Sequence, residues 1–87
     1  MRSYSKQRID EKADMVLRGY YGDDEYRRRV LGADYDAVQQ RVNQIIDDYA
    51  RDVMRGRYGN GRERQRRLGH LYPAVQARVN EVLRGDW

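Results

Sequence analysis

Ala37-Val38-Gln39-Gln40-Arg41-Val42-Asn43 recurs as Ala74-Val75-Gln76-Ala77-Arg78-Val79-Asn80, 37 positions further along the chain. At the same offset Arg18-Gly19-Tyr20-Tyr21-Gly22 returns as Arg55-Gly56-Arg57-Tyr58-Gly59, and about half of the positions from Ala13 to Ile46 match those from Ala50 to Leu83. A gapless internal repeat, rather than one irregular domain, is therefore the unit to be explained.

The recurring heptapeptide reads as helix. Val38, Val42, Ile45 and Ile46 form an apolar stripe, echoed by Val75, Val79, Val82 and Leu83. Pro73, the counterpart of Asp36, suits a first helical turn and places the start of this helix near that point. Neither Gly nor Pro occurs between Asp36 and Arg55. The spacing therefore predicts one continuous helix of about five turns across the junction, and a break at Asp47-Asp48 would contradict it.

Working outward, Ile9, Ala13, Val16 and Tyr20 lie at helical spacing and predict a helix over Ile9–Arg18, stopped by Gly19. Ile46, Ala50, Val53 and Arg57, ending at Gly56, repeat the series. A short helix follows in each copy. Asn60 with Glu63 three residues on reads as a capping box, closed by Leu68-Gly69. Asp23 is the cap in the first copy and Leu31-Gly32 the stop, but Tyr26 replaces the glutamate, so this helix is expected to start less firmly. The fold class predicted is all-α: two tandem three-helix-bundle repeats, residues 8–48 and 49–85, joined by the continuous helix.

At 87 residues each copy falls near the size, roughly 40 residues, below which a lone core is insufficient. Cysteine is absent, and the single His70 occupies one copy only, opposite Ala33, which speaks against a Cys/His metal site or a His-based triad. No cofactor is expected. No apolar run approaches the ~18 residues of a membrane span, and the start, MRSYSKQRIDEK, has no hydrophobic stretch that could serve as a signal peptide. Residues 1–49 carry nine basic and ten acidic side chains, whereas residues 50–87 carry nine and four, net +5. Arg outnumbers Lys sixteen to two, favouring bidentate recognition of carboxylate or phosphate.

The polar side chains kept in both copies are the functional candidates: Tyr21/Tyr58, Arg27/Arg64, Tyr35/Tyr72, Gln39/Gln76, Arg41/Arg78 and Asn43/Asn80. On a helical wheel Gln39 and Asn43 share one shoulder of the valine stripe and Arg41 lies on the other. Such border amides either bind a ligand or satisfy loop carbonyls. The tyrosines either cap the core or stack on the apolar face of a sugar. Arg27/Arg64 either grip an anion or form surface ion pairs, Arg28 reads as solvated, and Arg29/Arg66 points elsewhere. Tyr58-Gly59-Asn60-Gly61 lacks the length and the Lys-Ser/Thr of a phosphate loop. We read Asp10, Asp14, Asp34 and Asp36 as acids without counterparts in the second copy, which leaves no acid/base pair and predicts a nonenzymatic protein. Tyr4 and Trp87 are interface candidates.

The combination Arg-Gly-x-Tyr-Gly-Asn-Gly-x-x-Arg-x-x-x-Leu-Gly-x-x-Tyr-x-x-Val-Gln-x-Arg-Val-Asn, from Arg55 to Asn80, resembles the CW-seven cell-wall-binding repeat, found as tandem C-terminal modules of Cpl-seven-type phage lysozymes and related endolysins. The resemblance implies a three-helix bundle per repeat that binds peptidoglycan through the glycan disaccharide and its stem peptide, and that localises a separate catalytic lytic domain on the wall. The first copy departs from the pattern with Gly22-Asp23-Asp24 where the family prefers Gly-Asn-Gly, setting negative charge beside the expected site. The rival reading is an intracellular nucleic-acid or protein-interaction module using the basic second copy.

Overall fold

The computed structural model describes the backbone of residues 2–85 and the side chains of residues 6–85, so Tyr4 and Trp87, the interface candidates, lie outside the described side chains. Among the described residues every regular element is helical: α1 (Arg2–Leu17), α2 (Asp24–Leu31), α3 (Tyr35–Met54), α4 (Gly61–Leu68) and α5 (Tyr72–Arg84), with single 3-10 turns at Gly32–Asp34 and Gly69–Leu71. The chain is all-α. It divides into two compact units, Met1–Asn43 and Gln44–Trp87. No described helix is long and apolar enough to cross a membrane.

The junction behaves as its composition dictates. With no residue to break it, α3 runs for 20 residues through Asp47 and Asp48 without interruption. Its first half belongs to the first unit and its second half to the second. α1 begins at Arg2, earlier than the apolar spacing marks, because that spacing reports the buried face and not the helix itself.

The two first helices end alike. Tyr20 N–H donates to the Met15 carbonyl and Gly19 N–H to that of Val16, both at 3.0 Å; Arg57 donates to Asp52 at 3.1 Å and Gly56 to Val53 at 2.9 Å. This closure needs a left-handed residue, which Gly19 and Gly56 supply at φ +87° and +83°. A side chain there would cost roughly 1–2 kcal/mol. Past the closure the helical period no longer applies. Tyr20, expected to extend the Ile9, Ala13, Val16 stripe, is accordingly 68% exposed.

Equivalent residues fill both cores. Ala13, Val16, Leu31, Val38 and Val42 are buried in the first unit, and Ala50, Val53, Leu68, Val75 and Val79 in the second, where Ile46 joins them. Leu83 corrects the stripe read from α5: it is 73% exposed. Its counterpart Ile46 is buried because α3 continues and carries it beside Ala50 and Val53, whereas no further helix follows α5 among the described residues.

Capping also reverses the expectation. The Asp23 side chain accepts from Tyr26 N–H at 2.9 Å, so the start of α2 is firmly capped. Asn60 makes no side-chain capping bond at the start of α4. The box glutamate, Glu63, lies instead against Gly59, where a built Cβ would stand 2.3 Å from Glu63 Oε1.

Candidate functional site

The retained Arg, Gln and Asn side chains come together in each unit. Arg27 of α2 donates through Nη1 to Gln39 Oε1 of α3 at 3.0 Å and through Nη2 to the Gly22 carbonyl at 3.4 Å. Gln39 Nε2 then donates to Asn43 Oδ1, one turn on, at 3.1 Å. The second unit repeats every bond: Arg64 to Gln76 at 2.9 Å, Arg64 to the Gly59 carbonyl at 3.1 Å, and Gln76 to Asn80 at 3.0 Å. The arginine, not the amides, satisfies the loop carbonyl. The glutamine orients the arginine and passes the chain of bonds to the asparagine, whose side-chain NH₂ remains a donor at an exposed position.

Two features of these arginines bear on ligand binding. The Nε atoms of Arg27 and Arg64 are buried without a hydrogen-bond partner, the same atom in both copies. Leaving such a donor unpaired costs about 1–3 kcal/mol, so the guanidinium is held in place against a local penalty. Their counterions differ. Asp24 Oδ1 lies 4.0 Å from Arg27 Nη1, whereas Gly61 occupies the equivalent position in the second unit and Arg64 forms no ion pair among the described residues.

The tyrosines sort into two kinds. Tyr58 is half-buried and packs against Tyr49, with ring centroids 6.0 Å apart and planes at 49°. Burial first, and the neighbouring Tyr49 second, push its hydroxyl above the ordinary tyrosine value. Tyr21 is half-buried also, but Lys12 stands where Tyr49 would. Tyr35 donates to Asp24 Oδ1 at 2.5 Å, and Arg28, read from the sequence as solvated, binds Asp24 Oδ2 through Nε at 2.9 Å and lies over the Tyr35 ring at 4.5 Å. The hydrogen bond to Asp24 raises the Tyr35 hydroxyl, and the Tyr35 and Arg28 bonds hold the Asp24 carboxyl below its usual range. Tyr72 has neither partner, since Gly61 and Gln65 replace Asp24 and Arg28.

Arg41 and Arg78 stand apart from this group. Arg41 Nε donates to Asp10 Oδ1 at 2.9 Å, and Arg78 Nε to Asp47 Oδ1 at 2.6 Å with Nη1 to Glu81 at 3.3 Å. Asp47, then Glu81, raise the Arg78 guanidinium. These bonds correct the reading of Asp10 as unrepeated: Asp10 and Asp47 are equivalent, and each ties its arginine to the helix that opens its unit.

Elsewhere the copies use different chemistry at one corner. Asp34 accepts from Lys12 Nζ at 2.7 Å and from Arg8 Nε at 3.2 Å, where the second unit has Leu71, Tyr49 and Ile45. Lys12 first, then Arg8, hold the Asp34 carboxyl below its ordinary value of 3.8. The folded value is depressed, so this contribution to stability is present above that ordinary value and is lost as pH falls through the folded one. Carbon-detected NMR titration of the carboxyl should place the Asp34 midpoint below 3.8, and Lys12→Met should move it upward. An unmoved midpoint would remove Lys12 as the main cause.

Two open clefts lie away from the Arg-Gln-Asn groups. One of about 260 Å³ runs along Asp47, Arg51, Met54, Arg78 and Val82, and another of about 400 Å³ is lined by Lys6, Gln7, Asp10, Glu11 and Asp14. Asn43 and Asn80, at the ends of the repeated polar groups, are exposed. Sequence reasoning marked Asp24 for its charge and expected loop carbonyls to be satisfied, but missed that Arg27 and Arg64 bind the Gly22 and Gly59 carbonyls and that Tyr35 binds Asp24. The Asp24-to-Gly61 exchange was the available signal.

No curated protein matches the chain, and no solved structure does. The model of the CW_7 repeat matches twice, over residues 10–46 and 47–83, with the same 37-residue period that the sequence displays. The chain belongs to the CW_7 repeat family of cell-wall-binding repeats.

Proposed function

We propose that this chain is a noncatalytic module that binds peptidoglycan through a glycan disaccharide and its attached stem peptide. The observation that carries the reading is Arg64: a guanidinium fixed by Gln76 and the Gly59 carbonyl, with no carboxylate of its own among the described residues. Stem peptides supply carboxylates, and a preoriented guanidinium recognises them with directional, charge-assisted bonds. In this mechanism Arg64 meets the carboxylate, the Asn80 NH₂ donates to an acetamido or hydroxyl oxygen of the sugar, and the Tyr72 ring lies against a sugar face. Gln76 positions both polar groups. Tyr58, packed on Tyr49, supports the loop that provides the Gly59 carbonyl. Arg41 and Arg78 hold helices through Asp10 and Asp47. Two repeats on one polymer raise retention beyond the affinity of either.

The test is an NMR titration of labelled protein with a soluble disaccharide-dipeptide muropeptide, with a short DNA duplex as parallel ligand, at low and moderate salt. Saturable shifts at Arg64, Gln76 and Asn80 with the muropeptide are expected. Silence with muropeptide together with steeply salt-dependent shifts along the Arg-rich α4 on adding DNA would sink the reading.

A further inference from the structure

In the first unit a carboxylate of the chain itself already stands between Tyr35 and Arg27. Asp24 Oδ1 accepts from the Tyr35 hydroxyl at 2.5 Å and lies within ion-pair range of Arg27 Nη1 at 4.0 Å, so one oxygen faces both of the residues retained in the two copies. The second carboxylate oxygen accepts from Arg28 at 2.9 Å, and the Arg28 guanidinium covers the Tyr35 ring at 4.5 Å. Asp24 thereby draws in a second cation that screens the aromatic face.

The second unit keeps the donors and lacks the occupant. Arg64 and Tyr72 are retained, Arg64 makes the same bonds to Gln76 and Gly59, and the residues at the Asp24 and Arg28 positions are Gly61 and Gln65. A Cβ built on Gly61 meets no atom within 4 Å, and Gly61 is absent from the glycines with positive φ. The position is open and its backbone accepts any L-residue. Asp24 also begins α2 and Gly61 begins α4, so both stand at the same place in a helix of the same length. The difference between the units is therefore one of side chains.

We propose that Asp24 is a built-in carboxylate ligand that closes the first repeat, with Arg28 as its cover, and that the second repeat, open at Gly61, is the one that takes an external carboxylate-bearing wall ligand. The proposal rests on the wall-binding reading for the identity of that ligand, but not for the closure itself. The tethered carboxylate acts at an effective concentration that a free ligand must exceed, so the first repeat engages only at much higher ligand concentration. The direction of the Asp24 and Tyr35 ionisation shifts agrees with a carboxylate held ionised against a held hydroxyl.

Two reciprocal variants of the whole chain test this: D24G with R28Q, which gives the first repeat the side chains of the second, and G61D with Q65R, which does the reverse. The first measurement needs no ligand. Nitration of tyrosine by tetranitromethane proceeds through the phenolate, so Tyr35 in the parent should react at least severalfold more slowly than Tyr72. D24G/R28Q should bring Tyr35 to the Tyr72 rate, and G61D/Q65R should slow Tyr72. Equal rates in the parent, or rates unmoved by the exchanges, overturn the closure whatever any ligand does. The second measurement titrates the disaccharide-dipeptide muropeptide against each protein, with residue-resolved shifts reporting the two repeats separately. The parent should saturate at Gln76 and Asn80 about tenfold or more before Gln39 and Asn43, the first variant should bring the two together, and the second should abolish the early site. Equal affinities in the parent overturn the proposal while leaving wall binding intact. Protected Tyr35 with no muropeptide shift at either repeat supports the closure and rejects the wall-binding reading.

Discussion

Val75→Asp is expected to unfold the second unit. Val75 is fully buried, and together with Leu68, Val79, Ala50 and Val53 it makes up a core of small side chains with no large aromatic to absorb a defect. A carboxylate forced into it without a partner costs several kcal/mol. A chain of 87 residues, at about 0.05–0.15 kcal/mol per residue, has in all roughly 4–13 kcal/mol to lose. Far-UV circular dichroism should show a large loss of helix at room temperature, and hydrogen exchange should place that loss in α4, α5 and the second half of α3. Leu83→Asp is the informative contrast. A stripe read from sequence makes Leu83 as important as Val79, but at 73% exposure the charge should change stability by no more than about 0.5 kcal/mol. Equal damage from both variants would mean that α5 buries a different face.

Arg64→Ala is expected to weaken muropeptide binding by about 10- to 150-fold, the equivalent of the roughly 1.5–3 kcal/mol typical of hydrogen bonds to charged groups. Arg64→Lys should lose nearly as much. A lysine has no planar fork with which to hold Gln76 Oε1 and the Gly59 carbonyl while facing a ligand. Calorimetric titration with the muropeptide, together with retention of a fluorescent fusion on purified walls, reads both effects. Thermal unfolding of each variant separates lost recognition from lost structure, because Arg64 also ties the loop to α4 and α5. Binding unchanged in a folded Arg64→Ala protein would move the site elsewhere on the surface.

How much of this was legible in the sequence depended on how local the cause was. The continuous α3 was legible because nothing between Asp36 and Arg55 can stop a helix, and the stops at Gly19 and Gly56 because their left-handed backbone is a property of one residue. The five core positions shared by the two units followed from the repeat alone, whereas the burial of Ile46 in the second did not. The position of the α4 cap, Asn60, was legible, but its bonding was not. Asn60 and Glu63 have the right spacing, yet the Asn60 side chain makes no capping bond. Arg27, Gln39 and Asn43 could be selected by their retention, but the loop carbonyl that completes the group has no side chain to announce it. Asp24 was noticed for its charge only. Its hydroxyl partner lies 11 residues away, and the reach of Arg28 over the ring depends on how a 3-10 turn aims α3, which no period reveals.

The uninterrupted α3 has a consequence for the gene. Each of its residues from Asp47 onward occupies the place in the second repeat that the residue 37 positions earlier occupies in the first. An unequal crossover displaced by 37 codons therefore joins a helix to its own equivalent position, keeps the reading frame, and leaves every downstream spacing as it was. Copy number in such an array can rise or fall by one in a single recombination event, with no new loop to be invented at the seam.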